Sequence, residues 1–351
     1  DYSTNIPDFE PQQLLASASG STAYMHLDDG IWYHDGSGWL RKTGGEFQVF
    51  GNPTGIWVDA TEANAYICDD SAHAVYRLNI SNGLVTVLAG LPGTSGTANG
   101  TGTVARFNAP RGIWGDGTNL YVCDYDNFAI RKIVIATGVV TTFAGLIGTS
   151  AYTDNATGTT ARFQTPHGIW GDGTNLFVTE VTQGRVRKIE LAGAQPVTTL
   201  TSGLTTPKGV WIAASGSMLY VSTDSAATVR SIPIATGIAS SFATGVGGDA
   251  GGTTLMHSDG TYLWITKSTG GVEGSAVARV TISSAAVLSA VFENGQTRAA
   301  GVWAFAGKLW MTASDGIYVG YPSSQKVHAL VSQTDSYNST TSPTFVVISG
   351  P

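Results

Sequence analysis

The sequence predicts an all-β fold, and three observations carry this prediction. The stretch Ile-Trp-Gly-Asp-Gly-Thr-Asn-Leu occurs twice, at residues 113–120 and 169–176. Short alternations of apolar and polar residues are separated by Asp-Gly, Asn-Gly and Thr-Gly pairs. These pairs favour hairpin turns, because glycine accepts a positive φ without steric cost. No stretch of about 10 or more residues shows the apolar period of a helix.

The repeat defines seven units. Each begins with Gly-(Ile/Val)-Trp or a variant of it, and the anchor residues stand at positions 25, 57, 114, 170, 211, 257 and 303. Four-stranded units that repeat around a ring describe a β-propeller. We therefore predict an N-terminal segment over residues 1–20 and a single β-propeller domain over 21–351. Its seven antiparallel blades start near residues 23, 55, 112, 168, 209, 255 and 301, and six blades are the alternative.

Each unit contains four strand segments, and the unit that starts near residue 112 shows them in order. Gly-Ile-Trp opens the first, followed by Leu-Tyr-Val-Cys at 120–123, Ile-Arg-Lys-Ile at 130–133 and Val-Thr-Thr-Phe at 140–143. An open ring would leave unpaired sheet edges, so one chain end is expected to supply a closing strand. Residues 13–16 and residues 345–348 are the two candidates.

The units resemble NHL repeats. The shared pattern is Pro-x-Gly-(Ile/Val), a strand that ends in Asp, Arg-Lys-Ile, and Val-Thr-Thr-x-Ala-Gly, which residues 110–145 and the unit from 166 onward follow closely. The resemblance implies a propeller fold, and NHL propellers often have six blades. Propellers of similar architecture include metal-dependent lyases and lactonases, and an NHL-like amidating lyase binds zinc through histidines from several blades. Only His167 matches such a position, whereas Thr54, Arg111 and Lys208 occupy the equivalent places.

The composition excludes several classes of protein. Charged residues make up 12%, about half the usual ~25%, and the net charge is −7 without a Lys/Arg cluster. A nucleic-acid-binding role is therefore not expected. Nine Trp and 42% hydrophobic residues argue against disorder, and no apolar run approaches the ~18 residues that a membrane span needs. Low charge with abundant Ser, Thr and Gly favours an extracellular, periplasmic or cell-surface location.

Acidic and basic residues recur at two repeat positions that a propeller places at the mouth of its channel. The second strand ends in Asp35, Asp69, Asp124 and Glu180, and Arg111, His167 and Lys208 precede the first-strand glycine. One interpretation is that each acid caps its own hairpin turn, with basic residues balancing the charge. The other is a polar ligand site formed by both sets, in which Asp69, Asp124 and Glu180 hold a hard cation such as Ca²⁺.

The remaining repeated residues are interpreted as structural. The tryptophans at 57, 114, 170, 211 and 303 share one repeat position, which is typical of packing between blades. Cys68 and Cys123 fall at equivalent points of adjacent blades, too far apart for a disulfide, and are expected to be buried free thiols.

The function that these features favour is a non-enzymatic binding module that recognises a protein or glycan partner through its loop face. We expect no group of side chains that meet to form a catalytic site, and we expect no cofactor. Ca²⁺ is the one ion considered. Two alternatives stay open: a metal-dependent lyase or hydrolase with its site at the channel mouth, and a structural subunit of a surface filament or layer.

Overall fold

The computed structural model of the chain separates into two compact units, Asp1–Val49 and Phe50–Pro351. It describes strands within residues 13–41, and then residues 50–81, 84–213, 215–223, 228–244, 246, 253–258, 260–267, 277–285, 287–288, 299–305, 308–313, 316–321 and 326–332. This division differs from the predicted domain, which starts at residue 21.

The first unit contains one four-stranded antiparallel sheet, called sheet 1. Its strands follow one another in chain order: β1 (Gln13–Ala16), β2 (Ala23–Leu27), β3 (Gly30–His34) and β4 (Trp39–Arg41). Strand β1, one of the two predicted ring-closing segments, pairs with β2 inside this sheet. The other predicted segment, residues 345–348, lies outside the described residues.

Within its described residues the second unit contains six further sheets, all built on four consecutive antiparallel strands, and one of them has a fifth strand added. Sheet 2 is β5 (Pro53–Val58), β6 (Asn64–Asp69), β7 (Ala74–Asn79) and β8 (Val85–Ala89). Sheet 3 is β10 (Pro110–Gly115), β11 (Asn119–Asp124), β12 (Ala129–Val134) and β13 (Val139–Ala144), with the short β9 (Gly100–Thr101) added beside β13. Sheet 4 is β14 (Pro166–Gly171), β15 (Asn175–Glu180), β16 (Arg185–Glu190) and β17 (Val197–Thr201).

The later sheets continue the pattern. Sheet 5 is β18 (Pro207–Ile212), β19 (Met218–Thr223), β20 (Thr228–Pro233) and β21 (Ser240–Ala243). Sheet 6 is β22 (Thr253–Ser258), β23 (Tyr262–Lys267), β24 (Val277–Thr281) and β25 (Val287–Leu288). Sheet 7 is β26 (Ala299–Phe305), β27 (Lys308–Ala313), β28 (Gly316–Tyr321) and β29 (Lys326–Ser332). The described helices are three-residue 3₁₀ turns at Gly102–Val104, Tyr125–Asn127 and Gly158–Thr160, and none of them could span a membrane.

The repeated eight-residue stretch forms the turn between the first and second strands of a sheet. In sheet 3, Asp116 accepts backbone N–H groups from Thr118 at 2.8 Å and Asn119 at 2.6 Å. Gly117 adopts a φ of 90°, a value that L residues with a side chain rarely reach. The same bonds recur at 2.8 and 2.6 Å around Asp172 in sheet 4. The stretch therefore repeats because each of its polar residues is needed to close this turn.

The first strands of neighbouring sheets pack closely at the Gly of Gly-(Ile/Val)-Trp. A Cβ on Gly112 would lie 2.3 Å from the carbonyl oxygen of His167 in the next sheet. At Gly168, the corresponding distance to the carbonyl oxygen of Lys208 would be 2.0 Å. Both are far below a van der Waals contact. A residue with a side chain would therefore push the inner strands apart.

The residue after this glycine position lines a small apolar cavity at the centre of the unit. Each of the six sheets contributes one such side chain: Ile56, Ile113, Ile169, Val210, Met256 and Val302. The cavity has a volume of about 20 Å³, roughly enough for one water molecule. Sheet 7 also meets sheet 2, since Thr312 Oγ1 donates to the carbonyl oxygen of Thr54 at 2.6 Å.

The structure confirms a propeller of four-stranded antiparallel blades, whereas the prediction of seven blades is wrong. The sheet that the sequence assigned to the first blade belongs to the separate unit Asp1–Val49. The apolar-polar alternation at residues 23–34 indicates strands correctly. Alternation reports pairing within a sheet, however, and carries no information about which ring that sheet joins.

Three of the five repeated tryptophans and the two cysteines lie in the core, as predicted, whereas Trp170 is partly buried and the Trp303 side chain lies outside the described residues. Trp57, Trp114 and Trp211 are 6–7% exposed. The Trp57 ring lies against Gly115 of the next sheet, where a Cβ would come within 2.8 Å of it. Cys68 and Cys123 are buried free thiols, and burial raises the pKa of both.

Candidate functional site

The three acids considered as metal ligands are fully buried, each within its own sheet. Asp69 ends β6 and accepts backbone N–H groups from Gly51 at 2.6 Å, Asn52 at 2.9 Å and Ala72 at 2.9 Å. Two of these donors belong to the segment that leads into the sheet, and the third belongs to the turn that follows β6. Asp69 therefore ties the start of the sheet to the end of its second strand.

Asp124 likewise ties the start of sheet 3 to the end of its second strand, and it pairs with a buried arginine. Its carboxylate accepts the backbone N–H of Asn108 at 2.7 Å, the side-chain amide of Asn127 at 2.8 Å and an N–H of Arg131 at 2.8 Å. The Asp124 and Arg131 side chains are both inaccessible to solvent. Burial raises the pKa of Asp124 to about 6, and Arg131, as the largest opposing influence, offsets part of that rise.

Arg131 also holds the long loop that precedes sheet 3. Its guanidinium donates to the carbonyl oxygens of Arg106 at 2.9 Å and Ala98 at 3.0 Å, and to Asn99 Oδ1 at 2.8 Å. The buried ion pair thus joins the second strand, the third strand and the loop.

Sheet 4 repeats the arrangement with a glutamate. Glu180 accepts the backbone N–H of Gln164 at 2.6 Å and an N–H of Arg187 at 3.0 Å. Arg187 donates further to the carbonyl oxygen of Arg162 at 3.0 Å and to Asp154 at 2.7 Å. In sheet 2 the corresponding position in the third strand is Tyr76, so among the described residues the donors to Asp69 are backbone N–H groups and Ser71.

The contacts of these acids match the capping interpretation more closely than the metal-site interpretation. The acids accept hydrogen bonds mainly from the segment that enters the sheet. They also contact the hairpin turn that the sequence suggested. Among the residues that the structure describes, no group of three or more His, Cys, Asp or Glu side chains could hold a metal ion. Asp35 lies outside the described residues.

The basic residues lie near the start of three successive first strands, β10, β14 and β18, a position that the sequence predicts to be at the channel mouth. Arg111, His167 and Lys208 each stand two residues before a side chain that lines the central cavity. The Arg111 guanidinium carbon lies 3.6 Å from the ring centre of Tyr125. That ring meets the His167 imidazole edge to face, with 6.2 Å between centres. We call Arg111, Tyr125, His167 and Lys208 the mouth cluster.

Electrostatics keep His167 neutral. Its side chain is buried, and burial is the largest influence lowering its pKa well below the usual value. The positive charges of Arg111 and Lys208 lower it further, while a backbone hydrogen bond to Lys208 acts in the opposite direction. Arg111 is 3.7 Å from Asp70 and remains partly exposed. The mouth cluster thus combines two cations with a neutral imidazole and a phenol ring.

Sequence reasoning selected Arg111, His167 and Lys208 but missed four residues that define their surroundings. Tyr125 and Asp70 each follow the acid at the end of a second strand, a position just outside the repeat pattern. Arg131 and Arg187 were visible as a repeated arginine in the third strand. Seven residues separate each from its acid, and antiparallel pairing of the second and third strands brings them together.

Comparison with known proteins gives one sequence match. No family model matches the chain. It is 33% identical over 94 residues to NHL repeat-containing protein 2 of Gallus gallus, a match that covers 27% of this chain and 13% of that protein. The matched region therefore spans only a small part of the relative's length.

Solved structures show the same fold at low sequence identity. A gluconolactonase from Xanthomonas campestris has a TM-score of 0.56 and 14% identity, covering 87% of this chain and 93% of its own. A chain of a nidogen/laminin complex has a TM-score of 0.55 and 14% identity, with 75% and 91% covered. A catalytically inactive virginiamycin B lyase from Staphylococcus aureus with quinupristin has a TM-score of 0.51 and 13% identity, with 89% and 94% covered. The sequence match and these folds together confirm the resemblance, and the chain carries an NHL-type β-propeller.

Proposed function

We propose that this protein is a binding module that recognises a protein or glycan partner through the face around its channel mouth. The proposal rests on a difference in position between the acidic and the basic residues. The acids Asp69, Asp124 and Glu180 are fully buried and bonded to backbone or arginine. Arg111, His167 and Lys208 stand instead at the mouth on three adjacent blades.

This difference in position argues against the acids as a calcium site. A Ca²⁺ ion takes six to eight oxygen ligands from groups that converge on it. The carboxylate oxygens of each acid already accept hydrogen bonds from donors within its own blade. If they bound a Ca²⁺ ion instead, Arg131 and Arg187 would be buried without a counter-charge. We therefore propose recognition without a bound metal or cofactor.

We further propose that the six sheets of the second unit form one ring. The support is the central cavity, to which every one of these sheets contributes an equivalent side chain, together with the Thr312–Thr54 hydrogen bond between the last sheet and the first. The low charged fraction of 12% supports a location outside the cytoplasm.

The fold is shared by proteins of both classes. One similar chain comes from a nidogen/laminin complex, and others are a gluconolactonase and a virginiamycin B lyase. A lyase or hydrolase is accordingly the second candidate, and one observation favours it. His167 is a neutral imidazole beside two cations, and Arg111 and Lys208 are placed to stabilise an anion that forms during a reaction there.

The test combines metal analysis with ligand screening on the purified full chain. Elemental analysis is made on protein prepared without chelator, and labelled protein is screened on glycan and extracellular-protein arrays with and without EDTA. We expect binding that EDTA leaves unchanged and that the double variant R111M/K208M loses. The exposed Arg77 of β7 provides the matched control R77M, which should bind like the wild type.

Two results would overturn the proposal. Near-stoichiometric zinc, iron or copper, with turnover of a lactone or ester that EDTA abolishes, would establish a metal enzyme. Metal-independent turnover that H167Q abolishes, while the variant still folds, would establish the second candidate instead.

A further inference from the structure

The mouth cluster has a rigid part and a charged part. The Arg111 guanidinium carbon lies over the Tyr125 ring, 3.6 Å from its centre, and Tyr125 in turn packs against His167. Stacking of a guanidinium on an aromatic ring fixes the plane of its N–H groups at little further entropic cost. Lys208, on the next inner strand, adds a cation close enough to lower the pKa of His167. Arg111 and Lys208 therefore flank the imidazole from both sides.

Two buried polar atoms of this cluster have no hydrogen-bond partner among the described residues: Nδ1 of His167 and Nε of Arg111. The His167 side chain is more than nine-tenths buried. The Nε atoms of five other arginines also lack a partner among the described residues, so the imidazole atom is the one of the two that indicates a water or ligand here. Nδ1 of a neutral imidazole that uses its other nitrogen as donor accepts a hydrogen bond, whereas Nε of arginine donates one. A hydroxyl group can do both.

Large basic residues do not recur at this repeat position in the other three sheets of the second unit. The positions equivalent to Arg111, His167 and Lys208 in sheets 2, 6 and 7 are Thr54, Thr254 and Ala300, all of them small residues. Thr54 turns its hydroxyl to the carbonyl oxygens of Pro110 and Arg111, at 3.1 and 3.4 Å. The large basic residues thus stand on one side of the mouth only.

We propose that the mouth cluster binds an acidic saccharide, a sugar unit that carries both a carboxylate and hydroxyl groups. The carboxylate binds between Arg111 and Lys208, and a neighbouring hydroxyl reaches the imidazole and guanidinium atoms that lack partners. This inference rests on the proposed function and names its ligand. A singly charged carboxylate suits the site better than a doubly charged phosphate, because Asp70 already neutralises part of the Arg111 charge at 3.7 Å.

An acidic peptide satisfies this site less well. An Asp or Glu side chain supplies the carboxylate but carries no hydroxyl beside it, so the two buried polar atoms would keep their desolvation cost. A uronic acid in its ring form carries a hydroxyl group on the carbon next to its carboxylate-bearing carbon.

The test is titration of the full chain with small probes, followed by isothermal calorimetry or by NMR chemical shifts. The probes are D-glucuronate, D-glucose as the neutral match, and propionate as the carboxylate without hydroxyls. We expect glucuronate to bind at least tenfold more tightly than either of the others. Each of R111M and K208M should weaken glucuronate binding about tenfold or more, because each removes one charge-assisted hydrogen bond. R77M should leave it unchanged.

The outcomes separate this inference from the proposed function. Equal binding of propionate and glucuronate would overturn the saccharide assignment, and equal binding of glucose would overturn the role of the carboxylate. No binding of any probe, while the arrays still show a partner that R111M/K208M retains, would overturn the mouth site and leave a binding function elsewhere. Well-folded variants are verified by their unfolding midpoint, which should lie near that of R77M.

Discussion

Replacing Arg131 with methionine tests the buried ion pair of sheet 3 most directly. The guanidinium makes four hydrogen bonds, to Asp124, Asn99 and the carbonyl oxygens of Arg106 and Ala98, at 2.8–3.0 Å. Methionine keeps much of the apolar stem and removes all four bonds. It also leaves the Asp124 carboxylate buried with no counter-charge.

The expected cost is about 3–5 kcal/mol of unfolding free energy, the usual consequence of removing one partner from a buried pair. That is a large part of the ~5–15 kcal/mol that holds a typical domain together. Because Arg131 also holds residues 98–106, we expect the loop before sheet 3 to become the first site of proteolysis. Equilibrium unfolding in urea measures the first effect, and mass spectrometry after brief protease treatment locates the second.

Two comparisons keep the result interpretable. R77M, at an exposed position of β7, should change stability by less than about 0.5 kcal/mol. The double variant D124N/R131M should regain about 1 kcal/mol or more relative to R131M, since no buried charge remains uncompensated. A loss below about 1 kcal/mol in R131M, or a double variant no better than R131M, would refute the reasoning.

Three further predictions follow from the fold. Gly168→Ala should cost more than about 3 kcal/mol or prevent folding, because its Cβ would lie 2.0 Å from the Lys208 carbonyl oxygen; a normal urea midpoint would contradict this. Asp172→Ala should cost about 1–2 kcal/mol, since the backbone N–H groups of the turn lose their acceptor, and circular dichroism melts of D172A and D172N should rank both below the wild type. Burial lowers the pKa of His257 in the folded protein to about 3, whereas an unfolded histidine has a pKa of ~6.5. The unfolded chain therefore takes up a proton first, and the free energy of unfolding should decrease as the pH falls from ~6.5 toward 3. H257N should reduce that slope by up to about 1.4 kcal/mol per pH unit, and an unchanged slope between pH 6.5 and 4 would show that His257 is solvated.

Much of the fold could be predicted from the sequence because each repeated residue has a local task. Asp116 and Gly117 close a turn, and Gly112 permits close packing of inner strands. Each requirement is met by a few residues, and both recur in the two exact copies, around residues 112–119 and 168–175. The number of blades is a different kind of property, because it depends on the contacts of whole sheets with one another, and no local pattern distinguished sheet 1 from a member of the ring.

The candidate site was predictable only in part. The repeat position correctly selected Arg111 and His167 as neighbours, because equivalent residues of adjacent blades lie side by side. It could not tell that Asp124 and Glu180 turn inward, since a carboxylate at a strand end serves a cap or an open site equally well. Their direction is decided by an arginine on the paired strand, and this requires the register of pairing rather than the residue type.

The two long loops have a consequence for how such a chain can grow by duplication. Asn99 in the first loop contacts Arg131 and Thr142, and Asp154 in the second contacts Arg187 and Thr199. Each loop is therefore bonded to the blade that follows it in the chain. A duplicated segment that started at the first proline of a blade would lack the loop. The buried arginine of that blade would then lose the hydrogen-bond partners that the loop supplies. A unit that begins before the loop, near residues 90 and 145, keeps these arginine bonds and gives up weaker backbone bonds to the preceding blade, such as those from Gly93 to Ala72 and from Gly148 to Asn127. Gene duplications in proteins of this kind should carry their breakpoints there rather than at the edges of the blades.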